Sequence, residues 1–149
     1  MSLEQTINKD IAAQMKAKNK LALSALRAVK SAILLEKTKA GGKDQLTEEE
    51  ELKLLQKLVK QRRDAAQLYK EQGREDLYEE EYGQLKIIEQ YLPEQMDDQT
   101  LEAEIKKIIE QTGASSIKDM GRVMGMATKQ FAGKADNGKI AAIVKKLLS

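Results

Sequence analysis

The stretch TEEEELKLLQKLVKQRRDAAQLYKEQG, Thr47 to Gly73, reads as one helix from end to end. Thr47 with Glu50 three residues on is a capping-box signature, in which hydroxyl and carboxylate satisfy backbone N–H groups that the first turn leaves unpaired. Leu55, Leu58, Val59, Ala66 and Tyr69 keep a helical period, and Gly73 supplies a stop. A helix of this length with one apolar stripe needs other helices to cover it.

The flanking sequence supplies them. On the N-terminal side, Leu3, Ile7, Ile11 and Met15 keep one helical period. The Lys16 to Lys20 patch with Asn19 suggests a break or recapping before Leu21, Ala25, Val29 and Ile33 resume it, and Gly41-Gly42 ends that arm. On the C-terminal side a helix over 74–91 stops before Pro93, so 92–96 reads as a joint. Asp98 can cap a helix from 99 to about 111 that Gly113 ends, Ser116 can cap one through Phe131, and Asp136 or Asn137 caps the last, burying Ile140, Ile143, Val144, Leu147 and Leu148. With one proline and 3% aromatic residues, the expected fold is all-α: an N-terminal antiparallel helical region over 1–92, then a small C-terminal bundle of short helices over 93–149.

Cysteine and histidine are absent, which removes thiolate nucleophiles, imidazole bases, Cys/His zinc cages and disulfides. No catalytic residue, metal site or cofactor is expected, and the chain is read as a non-enzyme on its own. No apolar run approaches the roughly 20 residues of a membrane span, and no apolar signal region opens the sequence, so a cytoplasmic protein without membrane association is expected.

The net charge of +2 hides an alternation. Residues 1–46 carry nine basic and four acidic groups, 47–92 eight and twelve, 93–112 two and six, and 113–149 seven and two. Such blocks either hold neighbouring helices together or present anion-binding surfaces. In the last block Lys118, Arg122 and Lys129 fall on one helix face, and with Lys134 and Lys139 they form the first set of nucleic-acid-binding candidates. Lys9, Lys16, Lys20 and Arg27 form a second stripe if the first arm is continuous. Either stripe could equally be a solvated face.

Gly121 and Gly125, four apart on one face, permit close approach. A neighbouring helix of the same chain is the first reading, with overpacking on enlargement as its consequence; a nucleic-acid backbone or partner surface is the second. Gly133-Lys134 is not a phosphate-binding P-loop, because Ala135 stands where Ser or Thr is required, position 128 is Thr rather than glycine, and no strand precedes it. Arg62 and Glu81 fall inside apolar stripes of consecutive helices, and folding back at Gly73 would bring them together as a partly buried structural ion pair. A catalytic role for Glu81 lacks any second acid, nucleophile or metal cluster.

Asp119-Met120-Gly121-Arg122-Val123-Met124-Gly125, Gly133-Lys134-Ala135-Asp136, Tyr91-Leu92-Pro93 and the closing Ile143-Val144-Lys145-Lys146-Leu147-Leu148 together resemble the YqeY-like proteins and the tail domain of the B subunit of tRNA-dependent amidotransferases. Arg27, Arg62, Gly73-Arg74-Glu75-Asp76-Leu77 and Glu81 are similar to further marks of stand-alone YqeY-like proteins. Gln84 departs from the acidic residue that the family pattern implies. The resemblance implies a tRNA-binding or tRNA-linked accessory module of translation, amidotransferase-like without the amidase and ester-activating parts, which in that enzyme reside in other domains and subunits. The scarcity of aromatic residues favours recognition of folded RNA by shape and phosphate over base stacking. The alternative is a protein–protein adaptor or oligomerisation module using the glycine face and the charge blocks.

Overall fold

A computed structural model describes residues 1–39 and 41–149. Among them are seven α-helices, one 3-10 turn and no strand, so the protein is all-α. The chain forms two compact units, Met1–Leu92 and Pro93–Ser149.

In the first unit α1 (Leu3–Lys16) and α2 (Lys20–Lys39) form an antiparallel hairpin, its far end closed by a 3.0 Å ion pair between Glu4 and Lys37. Its turn is made by Lys18 at φ 55°, a left-handed conformation that non-glycine residues seldom adopt, while the Asn19 side chain accepts from the Ala22 N–H at 3.1 Å and so starts α2. The break that Asn19 suggested is therefore present. α3 (Glu48–Glu71) opens with both bonds of the capping box, Glu50 N–H to the Thr47 hydroxyl at 3.1 Å and Thr47 N–H to the Glu50 carboxylate at 2.9 Å. Gly73, at φ 71°, reverses the chain into α4 (Glu75–Glu89), which packs on α3 and α2. The Gly73-Arg74-Glu75-Asp76 mark is thus a turn, in which Arg74 N–H bonds the Tyr69 carbonyl at 2.8 Å and its guanidinium reaches Asp76 at 3.3 Å.

The core of this unit is aliphatic: Ile7, Ala25, Leu26, Val29, Ile33, Leu54, Leu55, Val59, Leu85 and Ile88. Each fully buried Leu, Ile or Val contributes about 1.5–3 kcal/mol relative to exposure. α4 packs tightly on α2 at Gly83, where a Cβ would lie 2.7 Å from a Leu21 methyl.

The second unit has three helices. α5 (Asp98–Thr112) is capped by Asp97, not Asp98: the Asp97 carboxylate accepts from Thr100 N–H at 2.7 Å, and Gly113 at φ 68° ends the helix. Ser116 starts a 3-10 turn, Ile117–Asp119, before α6 (Met120–Gln130), so the expected single helix from 116 begins with a tighter first turn. α7 (Asn137–Leu148) follows Asp136 and buries Ile140, Val144 and Leu148. The Gly133-Lys134-Ala135-Asp136 motif is the α6–α7 turn. Gly133 has φ 75°, its carbonyl accepts from the Gln95 side chain at 2.7 Å, and the Lys134 carbonyl accepts from Met96 N–H at 3.0 Å. Leu101, Ile105, Ile108, Val123, Ala127, Phe131, Ala135, Ile140, Val144 and Leu148 form the core.

Candidate functional site

Helix α6 buries Val123 and Ala127 and leaves Gly121, Arg122, Gly125, Met126 and Lys129 exposed. A Cβ built on Gly121 or Gly125 would meet nothing within 4 Å. The first reading of these glycines is thereby corrected: no helix of the second unit packs against them, and no described atom lies where their side chains would be. The sequence could not tell, because spacing fixes which residues share a face but not whether anything covers it.

The five cations of the first set do not stand alike. Lys118 lies on the 3-10 turn, Arg122 and Lys129 on α6, Lys134 in the following turn and Lys139 in the first turn of α7. Arg122 leans on Asp119 at 3.5 Å and Lys139 pairs with Asp98 at 2.8 Å. Lys118, Lys129 and Lys134 are exposed and form no ion pair among the described residues. Backbone N–H bonds from Ser115 and Ser116, with the charge of Arg122 adding to them, hold Asp119 below the usual aspartate range, so this acid stays ionised and fixes the start of the α6 face.

Lys9, Lys16, Lys20 and Arg27 do not make one stripe. Lys9 and Lys16 belong to α1, Lys20 and Arg27 to α2, which runs the opposite way after the Lys18 turn. All four are exposed and without an ion-pair partner among the described residues. Lys16, Lys18 and Lys20 instead gather at the tip of the hairpin.

The expected Arg62–Glu81 ion pair is also corrected. Arg62 is half-buried and its Nε donates to the Gln84 side-chain oxygen at 3.1 Å, while another guanidinium nitrogen donates to the Leu58 carbonyl at 3.3 Å. Burial lowers the arginine's proton affinity, and Glu81 opposes this through space without forming a direct bridge. One helical turn separates the two α4 positions, and the nearer one carries an amide. Gln84, where the resemblance implied an acidic residue, is the residue that meets Arg62.

Two further features carried no sequence signal. The Tyr91 hydroxyl donates to the Asp10 carboxylate, 81 positions away, at the edge of a cleft of about 360 Å³ that Gln14, Asn19 and Gln90 also line. Burial, then the bond to Asp10, pushes the Tyr91 hydroxyl well above the ordinary phenol range. Gly83 looked like any helical glycine, and only the α2–α4 packing gives it a role.

Among the described residues no group of three or more His, Cys, Asp or Glu side chains could hold a metal ion, and no helix is long and apolar enough to cross a membrane. The chain belongs to the YqeY-like protein family, whose model it matches over residues 4–148. No curated protein matches it.

Proposed function

We propose that the C-terminal unit docks the phosphate backbone of a folded RNA, tRNA before others, as an accessory module of translation in the cytoplasm. The observation that carries this reading is the α6 face: two glycines with no neighbouring atom within 4 Å of where a Cβ would stand, flanked by Lys118 and Lys129, which form no ion pair among the described residues. A bare helix backbone lets a sugar-phosphate strand approach closely, and free cations on its borders release counterions when they meet phosphates. The block 113–149, with seven basic and two acidic residues, supplies the long-range attraction.

Titration of the protein with tRNA across salt concentrations tests it. Affinity falls as salt rises, and the triple variant Lys118→Gln, Arg122→Gln, Lys129→Gln loses roughly 2 to 3 units of log-log slope at ~0.7–0.9 per contact. Its melting behaviour stays within about 0.5 kcal/mol of the parent, as for exposed positions generally. No salt-dependent binding at low ionic strength sinks the proposal. Given glutamine, ATP and misacylated tRNA, the protein alone makes no amidated product, because without cysteine or histidine it offers no thiolate nucleophile and no imidazole base for the amidase step.

A second reading, a protein adaptor, draws on Met126, which is 41% exposed and lies between Arg122 and Lys129 on α6, and on Ile117, which is 47% exposed. Recovery of a stable protein partner whose binding Gly125→Val abolishes, with tRNA unbound, selects it.

A further inference from the structure

The first unit holds a cleft that no part of the α6 reading uses. It lies between α3 and α4, has a volume of about 290 Å³, and rests on the buried side chains of Ala66 and Leu85. Its wall is Tyr78 and Tyr82, one helical turn apart, with rings stacked at 5.6 Å between centroids and 13° between planes. Two of the chain's five aromatic residues are thus gathered at one place, so scarcity in the composition does not mean absence of a stacking platform.

Charge surrounds the rings. Lys70 stands 5.8 Å from the Tyr78 centroid and Lys86 5.4 Å from that of Tyr82. Arg63 and Lys86 sit 3.9 and 4.0 Å from the same carboxylate, Glu89, beyond hydrogen-bond length. One acid facing two cations leaves the rim positive and both cations with donors to spare. Lys86 is exposed, and the rotatable four-carbon stem of a lysine lets its ammonium leave the Tyr82 face for an anion nearby.

A ligand that satisfies every part of this cleft needs a flat π face for Tyr82, an anion for Arg63 and Lys86, and small size. An inorganic anion leaves the rings unused, and an apolar molecule leaves the spare donors of Arg63 and Lys86 unused. We propose that the cleft binds one unpaired nucleotide, its base stacked on Tyr82 and its phosphate held by Arg63 and Lys86. The volume falls at the lower edge of ordinary ligand pockets, which fits a single nucleotide. Base stacking on an aromatic ring is indifferent to sequence, because every base has a π face, so the site reads the presence of an unstacked base. The proposal stands on the first unit alone and does not depend on the α6 face.

The test follows the tyrosine ring resonances of the intact protein by NMR during titration with AMP, with a short oligoadenylate and with inorganic phosphate. The four tyrosines make a simple spectrum. AMP and the oligoadenylate shift the Tyr78 and Tyr82 rings, and phosphate alone does so far less. Tyr82→Leu, at an exposed position that the core does not use, weakens nucleotide binding roughly fivefold or more, read at Tyr78; Arg63→Gln weakens it too. An oligoadenylate bound more tightly than AMP assigns the site to a nucleotide within an RNA strand, and equal binding assigns it to the free nucleotide. Rings that do not move, phosphate acting as strongly as AMP, or either variant binding as the parent does overturns the proposal. These readouts come from the first unit and are separate from the tRNA salt slope.

Discussion

A glycine inside a helix costs about 0.5–1 kcal/mol relative to alanine unless something requires the missing side chain. Gly121 and Gly125 have open space where a Cβ would go, whereas Gly83 has a Leu21 methyl at 2.7 Å. In chemical denaturation Gly121→Ala and Gly125→Ala each stabilise the protein by about 0.5–1 kcal/mol, while Gly83→Ala brings no such gain, because Leu21 must shift. Loss of stability on Gly121→Ala would mean that the α6 face is covered. Arg62 gives a second pair of outcomes. A neutral acceptor and a carbonyl hold it, so Arg62→Ala costs about 1.5–3 kcal/mol, in the range of hydrogen bonds to charged groups. Glu81→Gln, which removes only an attraction through space, costs less than about 1 kcal/mol. Equal costs for the two would restore the direct ion pair.

At the scale of elements, the α1–α2 hairpin is tied to the end of α4 by the hydrogen bond from Tyr91 to Asp10. The Tyr91 hydroxyl holds its proton more tightly folded than unfolded. A group with a raised folded pKa contributes stability that is fully present below its unfolded pKa, near 10 for tyrosine, and that is lost as pH rises through the folded value. Denaturation midpoints of the parent therefore fall as pH climbs above about 10, and Tyr91→Phe flattens that part of the dependence. An unchanged alkaline slope in the variant would show that Tyr91 does not carry it. Sequence reading found the helices themselves because their signals are local: Thr47 with Glu50, the stop at Gly73, the recapping at Asn19. It placed one cap a residue late, at Asp98 instead of Asp97, since adjacent aspartates carry the same propensity and only the backbone conformation decides between them.

For the whole molecule, the buried residues separate into two cores, one drawn from 1–92 and one from 93–149. Leu55 and Ile105 are fully buried, one in each. Truncating either to alanine costs about 2–5 kcal/mol. Hydrogen exchange in the native state shows where that loss is felt: Leu55→Ala speeds exchange through α1 to α4, and Ile105→Ala through α5 to α7. Uniform acceleration over the whole chain from either variant would make the two cores one cooperative unit. The proposed activities are divided in the same way, with the glycine face on the second unit and the nucleotide cleft on the first.

By itself the sequence determined that this protein is helical, where most helices start and stop, and which family it belongs to, because capping, glycine stops and apolar periodicity act over a few residues and leave their marks in order. Only the tertiary structure decided what each face meets. It opened the space above Gly121 and Gly125, closed it at Gly83, gave Arg62 to Gln84, split the Lys9 to Arg27 stripe between two helices, joined Tyr91 to Asp10, and gathered Tyr78 and Tyr82 beside Arg63. Periodicity tells which side chains share a face; what lies opposite is fixed by the packing of helices distant in sequence, and a single chain read alone carries no mark of it.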